Sequence, residues 1–558
     1  MSRRLRFRGG EDLVGELAFD ADGKESSQID RPECTVGVMR VPLAALLATA
    51  LSLTAASAPA QAHGRPAAPL GGVLPAPVEV HPHGPAFRLT ARTVIEAPPS
   101  ARAVADRLAA ALRPATGFRL PVVGHSPAGA PAVTLAIGRP EARLGAEGYR
   151  LTVRRTGVTI RANRTAGLFA GVQTLRQLLP VAIDATTRQR ADWTVAGGEI
   201  VDYPRFAYRG AMLDEARHFH TPAEIKQYID EISRFKVNYL HLHLADDQGW
   251  RIQIDSWPRL TEVGGAPGTG VDGVGGGYLT KRDYRDLVRY AADRFVTIVP
   301  EIDMPSHVNA AQVAYPELTC DGTAPPPRTD TEVGYSSLCI GKEVTYRFVE
   351  DVIRELAALT PGPYLHVGGD EAHATTDADY VAFEQRVLPL VAKYGKTAYG
   401  WNEITKAPAA HRAVAQYWGL ETQDATLAAA VAAGTKVVMS PANLAYLDMK
   451  YDRTTRLGLS WAGYIEVDKA YGWDPGTHVS GVPESAVLGV EAPLWSETLR
   501  SIDDIEFMAF PRLAAIAELG WSPVRDWTSF RSRLGAYGPR WTARGVGFYP
   551  SPKIDWAA

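Results

Sequence analysis

Residues 364–371 read Tyr-Leu-His-Val-Gly-Gly-Asp-Glu. A short apolar run is followed by two glycines and two adjacent acids. The run has the length of a buried strand, the glycines end it, and the acids fall just past its end. The layout recurs on both sides. Apolar runs at Met212-Leu213, Tyr239–Leu244, Val296–Val299, Leu365–Val367, Ala398–Gly400, Val414–Tyr417, Val437–Met439 and Val487–Val490 alternate with amphipathic stretches such as Pro222–Phe235 and Tyr284–Phe295. That alternation calls for βα units and a parallel sheet. Eight strand ends in about 290 residues predict an α/β fold, a (β/α)8 TIM barrel, over residues 204–558. A doubly wound sheet is the alternative, but no Gly-rich phosphate turn follows the first strand. The irregular Gly-rich run 264–277 reads as a mobile loop.

The residues just past each strand decide the function class. The segments are LDEARHF (213–219), ADDQGW (245–250), EIDMPSH (301–307), GGDE (368–371), WNE (401–403), WGL (418–420), SPANLAYLD (440–448) and EAPLWSE (491–497). Barrel active sites are built at these ends, and a purely structural barrel has no reason to load them with acids, aromatics, His and Arg. Two close carboxylates, Asp370 and Glu371, push their pKa values apart, leaving one protonated acid and one anion. Glycoside cleavage uses both forms. Trp401, Trp418 and Trp495, with Tyr446 nearby, form an apolar box suited to a sugar face or an acyl methyl. Any one Trp alone is more often core. Arg217, Asp448 and Glu497 are placed to hold sugar hydroxyls by charge-assisted hydrogen bonds.

A metal site is the rival. His241 and His243 face one side of a strand, and Asp246, Asp247, Asp303 and His307 are further ligand types. Additional His ligands at later strand ends are missing: His366 precedes two glycines, and His411 and His478 lie elsewhere. No metal or other cofactor is therefore expected. His307 reads as a charge relay between Asp246 and Glu371.

Working outward, the 558 residues are too many for one ordinary core. Lys+Arg (59) nearly balances Asp+Glu (62), so no basic field exists to hold nucleic acid. Residues 78–203 mix strands (Ala132–Ile137, Gly157–Ile160) with a helix (Ala166–Leu179) and show no convergent acids. They read as a small α/β accessory domain, joined by a Pro/Ala/Gly-rich linker over 63–77. Residues 40–62 have a basic flank, a short apolar run and Ala60-Gln61-Ala62, the layout of a signal peptide. The run is too short and Ala-rich to span a membrane, so secretion without stable membrane association is expected. The polar stretch before Met39 does not fit that layout, so 1–62 reads as a doubtful leader plus signal peptide, with Met39 as the start. Cys320 and Cys339 enclose a Pro/Gly/Thr-rich loop and read as one disulfide.

From 205 to 545 the chain resembles the family 20 glycoside hydrolases, the β-N-acetylhexosaminidases. The resemblance is carried by RGAMLDEARHF (209–219), NYLHLHLADDQGWRIQI (238–254), VPEIDMPSH (299–307), HVGGDE (366–371), GWNEI (400–404), AYLDMKY (445–451) and LGLSWAGY (457–464). Residues 78–200 look like that family's accessory domain. The resemblance implies a retaining, exo-acting, substrate-assisted reaction on terminal β-linked GlcNAc or GalNAc, with chitin oligosaccharides as a natural source. Glu371 would be the general acid/base. Asp370 would hold the 2-acetamido N–H and stabilise an oxazolinium intermediate. Tyr446 would bond the acetamido oxygen, and Trp401, Trp418 and Trp495 would enclose its methyl. Arg217, Asp448 and Glu497 would bind ring hydroxyls, while Asp246, Asp303 and His307 would support Glu371. Two departures are Ser306, where the family has Gly, and Asn402, where it has Asp; the second is expected to act through a neighbour only. A disaccharide-releasing enzyme and an inactive carbohydrate-binding relative are the alternatives.

Overall fold

In the computed structural model, which describes residues 68–138 and 140–557, eight parallel strands close into a barrel. They are β1 (Tyr208–Asp214), β2 (Tyr239–His243), β3 (Thr297–Glu301), β4 (Tyr364–His366), β5 (Thr397–Trp401), β6 (Val414–Tyr417), β7 (Lys436–Met439) and β8 (Val487–Ala492). Pairing of β1 with β8, from Tyr208–Gly489 to Ala211–Ala492, closes the ring. Each strand falls where an apolar run was read, because a strand covered by helices outside and side chains inside is apolar on both faces.

The helices between strands carry their own start signals. Pro222–Ser233 opens with Thr221, whose side chain accepts from the Glu224 N–H while Glu224 reaches back to the Thr221 N–H. Two connections depart from the βα rule, and both serve the rim. After β5 there are only 3₁₀ turns, Asn402–Lys406 and Pro408–Arg412. After β7 a long connection with two short helices, Ala442–Ala445 and Val467–Tyr471, lays Tyr446 and Asp448 across the barrel mouth. The 264–277 loop, read as mobile, is instead tied down. Arg251 is fully buried and donates from Nη1 to the Gly264 and Gly277 carbonyls and to the Thr269 hydroxyl. The expected disulfide is present between Cys320 and Cys339.

The preceding domain is a seven-stranded mixed sheet, in the order Glu79–Pro82, Gly198–Asp202, Tyr149–Arg154, Gly157–Ala162, Ala132–Ile137, Val94–Glu96, Val122–Val123. Helices Arg102–Thr116 and Thr165–Leu178 pack on it. The second is buried nearly all round because its outer side meets the barrel, with Phe169 5.2 Å from Phe295. Trp521, a barrel residue, joins the accessory core, and its Nε1 donates to Asp202 at 2.9 Å. Lys236 Nζ reaches the same carboxylate at 2.8 Å.

The linker reading needs correction. From Leu70 on, the segment is packed: Leu70, Val73 and Leu74 are buried. The Leu74 N–H donates to Gln177 of the accessory domain, and the Ala76 N–H to Glu518 of the barrel. Its Pro/Gly content reflects an irregular strap across two domains, not a free spacer. Residues 1–62, with the leader and signal-peptide reading, and 63–67 lie outside the described residues.

Candidate active site

The two acids owe their position to the glycines before them. Gly368 and Gly369 have φ of +70° and +103°, and a Cβ on Gly368 would lie 1.8 Å from Asp303 Oδ1. Only glycine permits that approach. Glu371 itself sits at φ 46°, a left-handed conformation for a non-glycine residue and a mark of functional strain. The turn buries Asp370 and leaves the Glu371 side chain 27% exposed, within reach of a ligand.

Both carboxylates converge on one imidazole. His307 Nε2 lies 3.6 Å from Glu371 and 3.8 Å from Asp370, and its Nδ1 lies 3.0 Å from Asp246. Asp246 in turn meets Arg217 at 2.7 Å and His243 Nε2 at 2.9 Å. Burial works against a charge on His307, but Asp246 and Asp370 outweigh it and raise its pKa to about 10. Burial also opposes the Asp246 charge, yet Arg217 and His307 hold that carboxyl well below its usual range. Asp370 and Asp303 are both raised, by burial and by neighbouring carboxylates, each other among them for Asp370. Two such carboxyls share a proton more easily than they both ionise. Ser306, the first departure from the family pattern, is buried, and its hydroxyl donates to the Asp370 carbonyl. It braces the acid pair from behind.

Behind this relay stands a residue that the sequence reading did not select. Glu301, at the end of β3, is fully buried. It accepts from Trp401 Nε1 at 2.9 Å and meets His243 Nδ1 at 2.6 Å, His241 Nε2 at 2.9 Å and His366 Nδ1 at 2.9 Å. One carboxylate thus holds both the floor tryptophan and the histidine that feeds Asp246.

The aromatic residues lie close together. Trp401 and Trp495 lie 5.7 Å apart, Tyr446 and Trp495 6.3 Å, and the Arg217 guanidinium sits 4.8 Å over Trp495. Trp418 joins through Trp461, which stands edge-on to Trp418 at 6.1 Å and to Tyr446 at 6.0 Å. Trp461 is 51% exposed, unusual for so large a ring, and the motif LGLSWAGY that contains it assigned it no role. Glu403 was also missed: it accepts from Trp418 Nε1 at 3.0 Å. Asn402, the second departure, accepts from the Trp418 backbone N–H at 3.2 Å, so it acts through that neighbour.

Three buried carboxylate oxygens facing this group have no hydrogen-bond partner among the described residues: Asp370 Oδ1, Asp448 Oδ2 and Glu497 Oε2. Buried acceptors are rarely left unpaired, and such gaps are what a ligand's N–H and O–H groups fill. Burial raises the Asp448 carboxyl, with Glu497 adding to it. Burial likewise raises Glu497, to about 7, against the pull of Arg217. Beside Glu371 a cavity of about 370 Å3 opens, bordered by Gly369, His373, Tyr380, Glu403 and Trp418. Arg217, Tyr446, Asp448, Trp495 and Glu497 lie outside its lining.

Of the residues in the metal reading, Asp246, Asp247 and His307 place ligand atoms within 4.8 Å of one another, and His241 does so with Glu301 and His366, which that reading did not include. Their chemistry is already engaged. Arg217 supplies the cation at Asp246, and Asp247 accepts from Ser336 and the Asn309 N–H.

A parallel barrel whose C-terminal rim carries this acid pair, relay and aromatic box is a glycoside hydrolase. The family model described as glycosyl hydrolase family 20, catalytic domain, matches residues 206–380 and 373–524, and that family's domain 2 matches 71–203. The chain belongs to glycosyl hydrolase family 20. It is 41% identical over 489 residues to a β-N-acetylhexosaminidase of Cellulomonas fimi, covering 87% of this chain and 97% of the relative. Among solved structures it resembles the family 20 β-N-acetylhexosaminidase of Streptomyces coelicolor A3(2), with TM-score 0.86 and 53% identity, over 88% of this chain and 100% of that one. It also resembles a mutant β-hexosaminidase of Streptomyces plicatus in complex with the product GlcNAc, with TM-score 0.85 and 54% identity, over 88% and 99%.

Proposed function

We propose that this enzyme is an exo-acting, retaining β-N-acetylhexosaminidase that removes terminal β-linked GlcNAc or GalNAc, with the substrate's acetamido oxygen as nucleophile. The observation that carries the reading is the placement of Asp370. A carboxylate nucleophile must face the acid across the anomeric carbon, about 5–5.5 Å away. Asp370 instead neighbours Glu371 on one turn, and after burial its charge is what most raises the Tyr446 hydroxyl, beside the tryptophan box. From there it meets an acetamido N–H, not an anomeric carbon.

Glu371, the accessible acid, gives its proton to the leaving oxygen, and charged His307 beside it stabilises the carboxylate left behind while Asp246 fixes the ring. The acetamido oxygen closes on the anomeric carbon, and Asp370 stabilises the positive charge that spreads into the ring so formed. Water, deprotonated by Glu371, then opens the oxazolinium ion with net retention. Tyr446 orients the acetamido oxygen; Trp401, Trp418 and Trp495 hold its methyl. Arg217, Asp448 and Glu497 take ring hydroxyls. Buried Trp401, Trp495 and Tyr446 close the inner end, which favours release of one terminal residue. Exposed Trp461 offers its face to the sugar that leaves.

Chitin oligosaccharides are the proposed source. The N,N'-diacetylchitobiase of Vibrio harveyi is 28% identical over 499 residues, and the match spans 55% of that protein. Export rests on the layout of residues 40–62 and on the disulfide. Hydrolysis of aryl β-GlcNAc and β-GalNAc substrates, with product analysis on chitin oligosaccharides, tests the reading. Single GlcNAc units released stepwise are expected. Released disaccharides, or no turnover, overturn it, and activity lost to a chelator would restore the metal reading.

A further inference from the structure

Four guanidiniums converge between the two domains, on the outer wall of the barrel and apart from the rim residues. Asp184, at the end of a 3₁₀ turn of the accessory domain, meets Arg176 at 3.2 Å, Arg234 at 3.2 Å, Arg540 at 2.8 Å and Arg544 at 4.0 Å. The other carboxylate in the group is Glu231, paired with Arg544 and 3.5 Å from Arg234. The next one out, Glu506, is taken by Gln227 and the Gly547 N–H. The inner group therefore holds four positive charges against two negative ones.

At neutral pH the surplus cannot be removed by losing protons: burial and the neighbouring Arg234 lower Arg176, but only to about 10. It is also poorly hydrated. The Arg544 side chain is 8% exposed, Arg176 15% and Arg234 17%. Arg544 Nη1 and Arg234 Nε are buried donors with no hydrogen-bond partner among the described residues. Arg540 differs: besides Asp184, its donors are spent on the carbonyls of Arg176, Gln177 and Leu179. Arg176, Arg234 and Arg544 line a cleft of about 710 Å3, together with Arg107, Lys226 and Arg294. Of the outer three, Arg107 pairs with Asp293, Lys226 with Asp286 and Arg294 with Asp230, so they add a rim but little free charge.

We propose that this interdomain cleft binds a tetrahedral dianion, inorganic phosphate or sulfate or the phosphate monoester of a small sugar, between Arg176, Arg234 and Arg544. Guanidinium forks match such oxygens in geometry and charge. Two negative charges match the surplus of two. The cleft is larger than a bare ion needs and falls in the size range of small-molecule sites. Because Arg176 comes from the accessory domain and Arg234 and Arg544 from the barrel, the ligand bridges the domains and ties their unfolding together.

The test is calorimetric titration of the whole enzyme with inorganic phosphate, sulfate and a hexose 6-phosphate, each against chloride at matched ionic strength. One saturable site per chain is expected, and the melting temperature should climb with the logarithm of ligand concentration. The ratio of ester to free-ion affinity identifies the source. Arg176→Gln and Arg234→Gln each remove a charged donor and should weaken binding by about ten-fold or more. Neither residue belongs to the active site, so glycosidase activity serves as the check that both variants fold. Titrations indistinguishable from chloride overturn the proposal, as does saturable binding that both variants retain.

Discussion

Glu371→Gln keeps the side chain's shape and removes its proton. Positioned acid catalysis is worth about 10²–10⁴-fold, so kcat should fall by that order. The loss should be greatest for substrates with poor leaving groups, and equal losses on activated aryl and natural glycosides would remove Glu371 from its role. Asp370→Asn tests the other half. It should weaken inhibition by a thiazoline mimic of the cyclic intermediate, whereas a covalent sugar trapped on Asp370 would show direct attack instead. Glu301 touches no substrate in this arrangement and acts by positioning. Glu301→Gln removes the charge that holds His243 protonated, and hydrogen bonds to charged groups are worth about 1.5–3 kcal/mol. Burial disfavours the His243 charge, but Glu301 first and Asp246 with it raise its pKa to about 10. Without Glu301, the His243–Asp246–His307 chain should lose its charge at lower pH. The alkaline limb of the pH–kcat profile should move down while KM stays close to wild type. A uniform loss of activity with an unshifted profile would mean the effect is packing alone.

At the scale of elements, the helix behind the acid turn, Asp377–Lys393, carries an anomaly. Glu384 is fully buried, and neither carboxylate oxygen has a partner among the described residues. Burial alone pushes its pKa from 4.5 to about 8. Linkage sets the sign. Between those two values the folded state keeps a proton that the unfolded chain releases. Stability is therefore fullest below about 4.5 and is lost as pH rises through about 8. Glu384→Gln, neutral at every pH, should flatten the fall in melting temperature between pH 5 and pH 8; an unchanged slope would show that Glu384 is not its source. The loop closed by Cys320 and Cys339 is a second element with its own energetics. The cysteines are 19 positions apart, worth about 3 kcal/mol of unfolded-state restriction. Replacing both by Ser should lower the denaturation midpoint accordingly and leave kcat near wild type, because the loop reaches the relay indirectly, through Ser336 to Asp247 and through Asp330 to Gln248 and Arg217.

For the whole molecule, the decisive joint is Asp202. It lies at the end of an accessory strand, wholly buried, and receives Lys236 Nζ, Trp521 Nε1 and Tyr149 Oη at 2.8, 2.9 and 2.6 Å. Two of those donors belong to the barrel. Removing one partner of a buried pair strands the other charge, at a cost of about 3–5 kcal/mol. Asp202→Ala should therefore destabilise the barrel as well as the accessory domain, visible as one lowered melting transition. Two separated transitions would mean that the domains unfold independently.

Most of the architecture was legible from local chemistry. A buried strand must be apolar, a barrel site must sit at strand ends, and glycines must precede a turn that brings an acid pair beside Asp303. These demands act over a few residues, so YLHVGGDE and its seven counterparts announce them. What remained hidden depends on residues far apart in the chain. Glu301 looks like one more strand-end acid until His241, His243, His366 and Trp401 close around it from three other strands. Trp461 lies in a connection with no periodicity and becomes part of the site only by standing against Trp418 and Tyr446. Residues 70–76 carry the composition of a spacer, but Gln177, Glu518 and two cores fix them. Local chemistry is enough to say which acids, aromatics and basic groups stand at the strand ends, because a barrel site is built there. Only the tertiary structure decided how those groups are charged and held, because a buried group's pKa and orientation are set by neighbours that the chain brings back from a distance.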